Sequence, residues 1–125
     1  MSATTERPIK QPDAGHPITI EPNPARVTVT VAGQVVAASS RTLTLREADY
    51  APVAYFPPED VDFEQLAATE HASYCPYKGE ANYYSVPAGG ERSRDAVWQY
   101  RDAYPAVAEI SGYLAFYPDR VDSID

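Results

Sequence analysis

Apolar and polar positions alternate along several short stretches of this chain. From Arg26 onward, Val27, Val29 and Val31 take one parity and Thr28 and Thr30 the other, which predicts a strand with one face in a core. Ala32-Gly33-Gln34 reads as a tight turn, and Val35-Val36-Ala37 as the start of the return strand of a hairpin. Arg41 to Arg46 alternates again, with Leu43 and Leu45 inward and Thr42, Thr44 and Arg46 outward. Val53 to Phe56 predicts a fourth strand, stopped by Pro57-Pro58 because proline gives a ladder no donor. Ser73 to Lys78 and Ala81 to Val86 flank Gly79 and predict a paired couple; Ala96 to Arg101 and Tyr113 to Tyr117 predict two further strands.

Helical patterning is sparse. Glu59 to Thr69 predicts a helix of about two turns, with Pro58, Glu59, Asp60 and Asp62 at its N-terminus and Val61, Phe63 and Leu66 on one face. Pro105 to Ser111 predicts a single turn with Val107 and Ile110 inward and Gly112 as its stop. The sum is a mainly β chain: one compact antiparallel domain over residues 16–125 with one or two short helices. There is also an internal echo. Tyr55-Phe56-Pro57-Pro58-Glu59-Asp60-Val61-Asp62 resembles Phe116-Tyr117-Pro118-Asp119-Arg120-Val121-Asp122. Ordinary turn preferences after a proline-stopped strand explain it, and a duplicated half-domain is the alternative.

Composition narrows the functional classes. The 125 residues suit one domain, and an apolar share of 44% is globular. Ten tyrosines against three phenylalanines and one tryptophan favour half-buried sheet faces and cleft walls, where a ring packs and its hydroxyl reaches a partner. A formal charge of −8 with no basic stripe opposes binding to nucleic acid. No run approaches the apolar length of a membrane span. Residues 1–15 are polar and proline-rich and read as a disordered tail without the apolar core of a secretory signal. With a single cysteine, these features predict a cytoplasmic protein.

Candidate chemistry centres on Tyr74-Cys75-Pro76-Tyr77-Lys78-Gly79. Pro76 and Gly79 favour a tight turn there, which would bring the Lys78 ammonium toward the Cys75 thiol and favour thiolate. A buried, unreactive Cys75 beside an ordinary turn lysine is the alternative. His71 shares strand parity with Cys75 but reaches it only if the segment bends. A hydrolase pairing of Ser73 with His71 is a further alternative. The faces Ala81-Tyr83-Ser85 and Ala96-Trp98-Tyr100, aromatics beside small residues, would form a stacking wall, or Tyr83 and Trp98 would fill the core. Arg46 at a strand end would bind a carboxylate or phosphate, whereas Glu47, Asp49, Glu59, Asp60 and Asp62 read as solvated acids. One Cys and two His do not supply a structural zinc site, and the glycines form no phosphate loop, so no metal and no cofactor are expected.

The run His71 to Tyr84, together with Leu43 to Glu47, Tyr55-Phe56-Pro57, Ala96 to Tyr100 and Ile110 to Tyr117, resembles domain-of-unknown-function family 427. The resemblance covers most of the chain from His16, with Cys-Pro-Tyr-Lys-Gly-Glu-Ala its most specific block. It implies a β fold of the β-tent type, similar to the ligand-binding domain of cereblon, and an aromatic-lined cleft. Several β-tent relatives hold zinc with four cysteines; this chain has only Cys75. The family also carries a nucleotidyltransferase-like label, for which the chain has neither a phosphate loop nor paired strand aspartates.

The leading expectation is a small-ligand-binding domain with a cleft built from Arg46, Tyr55, His71, Cys75, Lys78, Tyr83 and Trp98, its ligand anionic or carbonyl-bearing. The alternatives are an enzyme using Cys75 as nucleophile or Lys78 as amine, and a scaffold without a ligand.

Overall fold

Among residues 7–125, which a computed structural model describes, there are ten strands, eight of which fall on the segments predicted above. They are β1 (Ile18–Asn23), β2 (Val27–Val31), β3 (Gln34–Ser39), β4 (Thr42–Glu47), β5 (Val53–Tyr55), β6 (Ala67–Cys75), β7 (Gly79–Ser85), β8 (Val97–Tyr100), β9 (Leu114–Phe116) and β10 (Ser123–Ile124). Every ladder is antiparallel, and the strands fall into three sheets ordered β1-β4-β5, β10-β2-β3 and β6-β7-β8-β9. The mainly β, antiparallel expectation holds. Neither β1 nor the short edge strand β10 was anticipated; β10 has only two residues and leaves no readable period.

The four-stranded sheet divides the core. Strand alternation sends Ala81, Tyr83, Tyr100 and Ala115 to one face, where they cluster with Leu45 and Tyr55 of the β1-β4-β5 sheet. The opposite parity sends Val97, Leu114 and Phe116 to a second cluster with Val29, Val31, Val36 and Val121. The register is consistent with this division: Tyr83 lies opposite Trp98, and Trp98 opposite Ala115. Each fully buried Val or Leu adds roughly 1.5–3 kcal/mol of transfer free energy. The two clusters therefore tie the flanking sheets to the central one.

The expected β2–β3 hairpin forms around Ala32 and Gly33, with φ of 52° and 77°. Two successive left-handed residues make the turn whose twist matches that of the strands. A bulge between Val29 and Thr30 leaves Val36 without a ladder partner and fully buried.

The helix expected over 59–69 does not form. Its place is taken by two 3-10 turns, Pro58–Asp60 and Phe63–Gln65, and by the start of β6. Asp62 explains the break: it is extended (φ −84°, ψ 91°), and its side chain accepts from the Glu64 N–H to cap the second turn. Its own N–H donates to Val36 O at 2.8 Å, so pairing with β3 overrides local propensity. Pro105–Ile110 is a 3-10 segment with Val107 and Ile110 buried, as the pattern required.

The echo has a three-dimensional counterpart. Each copy runs from a strand end through a 3-10 turn (Pro58–Asp60, Pro118–Arg120) to a buried valine, Val61 or Val121. The following aspartate N–H then bonds the β2–β3 hairpin, Asp62 at Val36 O and Asp122 at Thr30 O.

Of the expected tail, residues 1–6 lie outside the described residues. Beyond them, Lys10 N–H donates to Pro76 O at 2.9 Å, Tyr74 Oη donates to Pro8 O at 2.7 Å, and Asp13 bridges to His16. No helix among the described residues is long and apolar enough to cross a membrane.

Ala32 bears a Cβ in a conformation that Asn adopts at lower cost. Ala32→Asn is expected to raise stability by about 0.5–1 kcal/mol, read as a higher urea midpoint at unchanged slope. A lowered midpoint would contradict the turn geometry.

Candidate functional site

The site begins at the end of β4. Leu43, Leu45 and Glu47 share one parity, and the hydrophobic pair commits that parity to the interior. Glu47 is consequently only 7% exposed, while its neighbour Arg46 is turned out to solvent. Facing it is the turn between β6 and β7. Lys78 N–H donates to Cys75 O at 3.2 Å, which closes the expected turn. Gly79 follows at φ +115°, a conformation reserved for glycine, and a Cβ there would lie 3.3 Å from the Asp102 carbonyl oxygen. Tyr104 N–H donates to Lys78 O at 3.0 Å and fixes the turn from the other side.

This geometry delivers the Lys78 side chain, in a residue 8% exposed, to the Glu47 carboxylate. Lys78 Nζ donates to Glu47 Oε1, and His16 Nε2 lies 2.7 Å from Glu47 Oε2. The His16 ring stacks on Tyr77 of the same turn, with centroids 3.9 Å apart and planes 5° from parallel. Burial alone would raise the Glu47 carboxyl, but the hydrogen bonds from Lys78 and His16 outweigh it and hold the group below its usual range. Glu47 is thus an ionised acceptor, not the solvated cap that composition suggested.

Beside this pair, between the β1-β4-β5 sheet and the central sheet, lies a cavity of about 260 Å³. Leu45, Glu47, Tyr50, Ala51, Val53 and Tyr55 line it from one side; Ser73, Lys78, Tyr83, Trp98, Tyr100 and Tyr117 line it from the other. Its hydroxyls are organised. Ser73 Oγ and Tyr83 Oη are 2.7 Å apart, Tyr83 Oη and Tyr117 Oη 3.4 Å, and Trp98 Nε1–H donates to Tyr55 Oη at 3.2 Å. Trp98 packs at 4.5 Å from Tyr117 and edge-on to Tyr55. Burial pushes the Tyr55 and Tyr100 phenols well above their usual range. Burial, followed by the Tyr83 contact, pushes Tyr117 up to about 12. At neutral pH these three phenols are protonated donors.

Of the seven residues expected at the cleft, Tyr55, Lys78, Tyr83 and Trp98 line this cavity. Arg46 faces solvent on the other side of β4. His71 is exposed, packs its ring 4.3 Å from that of Tyr83, and borders a separate surface groove with Glu70, Ser85 and Arg94. Cys75 is half-buried against the cluster containing Leu45 and Tyr55. The Lys78 ammonium is directed to Glu47, and the Ser73 hydroxyl to Tyr83 rather than to His71. Tyr100, expected on the same aromatic face as Trp98, also lines the cavity, whereas sequence reasoning missed Glu47, Tyr117 and His16. The parity of Glu47 with two inward leucines was the available signal for Glu47; the other two depend on long-range packing. Among the described residues, no three His, Cys, Asp or Glu side chains converge on a metal-sized site.

The family model described as Domain of unknown function (DUF427) matches residues 19–125, which includes every strand of the cavity. The chain belongs to this family. No curated protein matches this DUF427 chain. The match begins just after His16, so all cavity-lining residues and both Lys78 and Glu47 fall within the family's span.

Glu47→Gln strands a buried ammonium and is expected to cost about 3–5 kcal/mol, as is Lys78→Met for the reverse reason. The double variant should recover most of that loss, since both charges are gone; additive losses in a urea-unfolding cycle would contradict the pairing. The folded Glu47 carboxyl titrates below its ordinary 4.5. Its stabilisation is therefore complete above that value and is lost as pH falls through the folded pKa. Wild-type stability should drop more steeply in acid than that of Glu47→Gln; parallel curves would refute the assignment.

Proposed function

We propose that this chain binds a small, uncharged ring compound bearing a carbonyl, in the cavity between β4, β5 and the central sheet, without transforming it. The observation that carries this reading is the cavity's composition: five tyrosines and the sole tryptophan around a charge pair that is already internally neutralised. Aromatic walls favour a flat ligand, and protonated phenols favour an acceptor such as a carbonyl oxygen. A volume near 260 Å³, just under the usual range for drug-sized ligands, suits a single ring.

The pairing of Lys78 with Glu47 argues for a neutral rather than an anionic ligand, because a bound anion would compete with a buried carboxylate. It also argues against catalysis. Amine chemistry at Lys78 needs a nitrogen free to attack, and Nζ is engaged with Glu47 Oε1. A thiolate at Cys75 would need a cation that is committed elsewhere.

Trp98, as the only tryptophan, reports on the cavity by its fluorescence. N-methyl-2-pyrrolidinone is expected to change Trp98 emission saturably and to raise the melting temperature, while cyclopentanecarboxylate does neither. Tyr83→Phe keeps the ring and removes the hydroxyl that faces Ser73 and Tyr117; affinity should fall about fivefold, the worth of one neutral hydrogen bond. Absence of a saturable response to small ring carbonyls would overturn the reading.

A further inference from the structure

A second hollow, of about 500 Å³, adjoins the first, and the two share Ala51, Val53, Trp98 and Tyr117 in their walls. Its origin is topological. Just beyond β5, Phe56 and Leu114 exchange backbone hydrogen bonds of 2.7 and 2.9 Å, and this isolated bridge joins the edge of the β1-β4-β5 sheet to β9. Continued pairing would set Ala54 against Phe116 and Val53 against Tyr117. No such ladder forms: the bridge stands alone, and the two strands part on that side. The hollow occupies the resulting split, with Ala54 and Phe56 on one bank, Phe116 and Pro118 on the other, and Ile124 of β10 beside them. The alternation that turns the Phe56 and Leu114 amides toward one another also turns those of Ala54 and Phe116 toward the split.

The two hollows differ in chemistry. The first holds the charge pair and the phenol hydroxyls. The second is walled by aliphatic, proline and phenylalanine side chains, with polar atoms supplied mainly by Trp98, Tyr117 and the backbone. Trp98 stands in the wall of both, half-buried and packed on Tyr117. Resting on the binding reading above, we infer that the natural ligand is two-part: a carbonyl ring in the tyrosine-lined cavity and an apolar branch that passes Trp98 into the split between β5 and β9. The shared wall is the argument for this occupant. A ring seated against Trp98 has an apolar channel next to it, and each methylene placed there leaves water.

The test is a homologous series of N-methyl-, N-butyl- and N-octyl-2-pyrrolidinone, titrated by Trp98 emission below their micelle-forming concentrations. Affinity is expected to rise roughly two- to fourfold per methylene that enters the split. Two variants address the split alone: Ile124→Asn makes its rim polar near the end of the chain, and Ala54→Leu fills it. Both should remove most of the gain from butyl and octyl while leaving N-methyl binding unchanged. Binding of the N-methyl compound with no dependence on chain length would overturn the two-part ligand and leave the ring cavity standing. A chain-length gain that survives both variants would also overturn it, by placing the branch elsewhere. No binding by any member of the series would remove both readings together.

Discussion

Lys78 and Glu47 bury opposite charges where the end of β4 meets the β6–β7 turn. Withdrawing two ions from water costs several kcal/mol each, and their attraction offsets this only with close geometry and further hydrogen bonds. The chain supplies both. Gly79 permits the turn, Tyr104 holds its carbonyl, and His16, stacked on Tyr77, satisfies the second carboxylate oxygen. The rest of the site follows from this contact. It fixes the spacing between the β1-β4-β5 sheet and the central sheet at one end, while the Phe56–Leu114 bridge fixes it at another. The tyrosine-lined cavity and the β5–β9 split are spaces left between sheets tied at points rather than by a continuous ladder.

The same contact sets the chemistry available. An ammonium already matched to a carboxylate is a poor nucleophile and a poor magnet for anions. The phenols of Tyr55, Tyr100 and Tyr117 are held protonated by burial, so the cavity offers donors and ring faces rather than reactive groups. Those features are what the proposed binding reading rests on.

Much of this was legible in the chain. Period-two alternation located the hairpin of Val27–Ala37, the strands around Gly79, and the pairing face of Trp98 and Tyr100. The turn at Cys75–Lys78 followed from proline and glycine chemistry. Among the features not read correctly, three have a particular physical reason. Arg46 was expected in the cleft on its charge, although parity sets it opposite Leu45 and sets Glu47 inward. The stretch 59–69 has helical composition, but hydrogen bonding of Asp62 to β3 breaks it, and that bond spans 26 residues between Val36 and Asp62. The destination of the Lys78 ammonium is a long-range fact: local turn geometry pointed to Cys75, whereas the folded sheet presents Glu47, from 31 residues earlier in the chain.

Amide hydrogen exchange in the wild type and in Glu47→Gln tests the dependence on the buried pair most directly. If Lys78 and Glu47 tie the β6–β7 turn to β4, the Lys78 and Tyr104 amides, both hydrogen-bonded at that turn, should lose protection sharply in the variant. The β2–β3 hairpin, packed in the other cluster, should retain a larger share of its protection under the same native conditions. Unchanged protection at Lys78 and Tyr104, or an equal loss in both regions, would contradict the account.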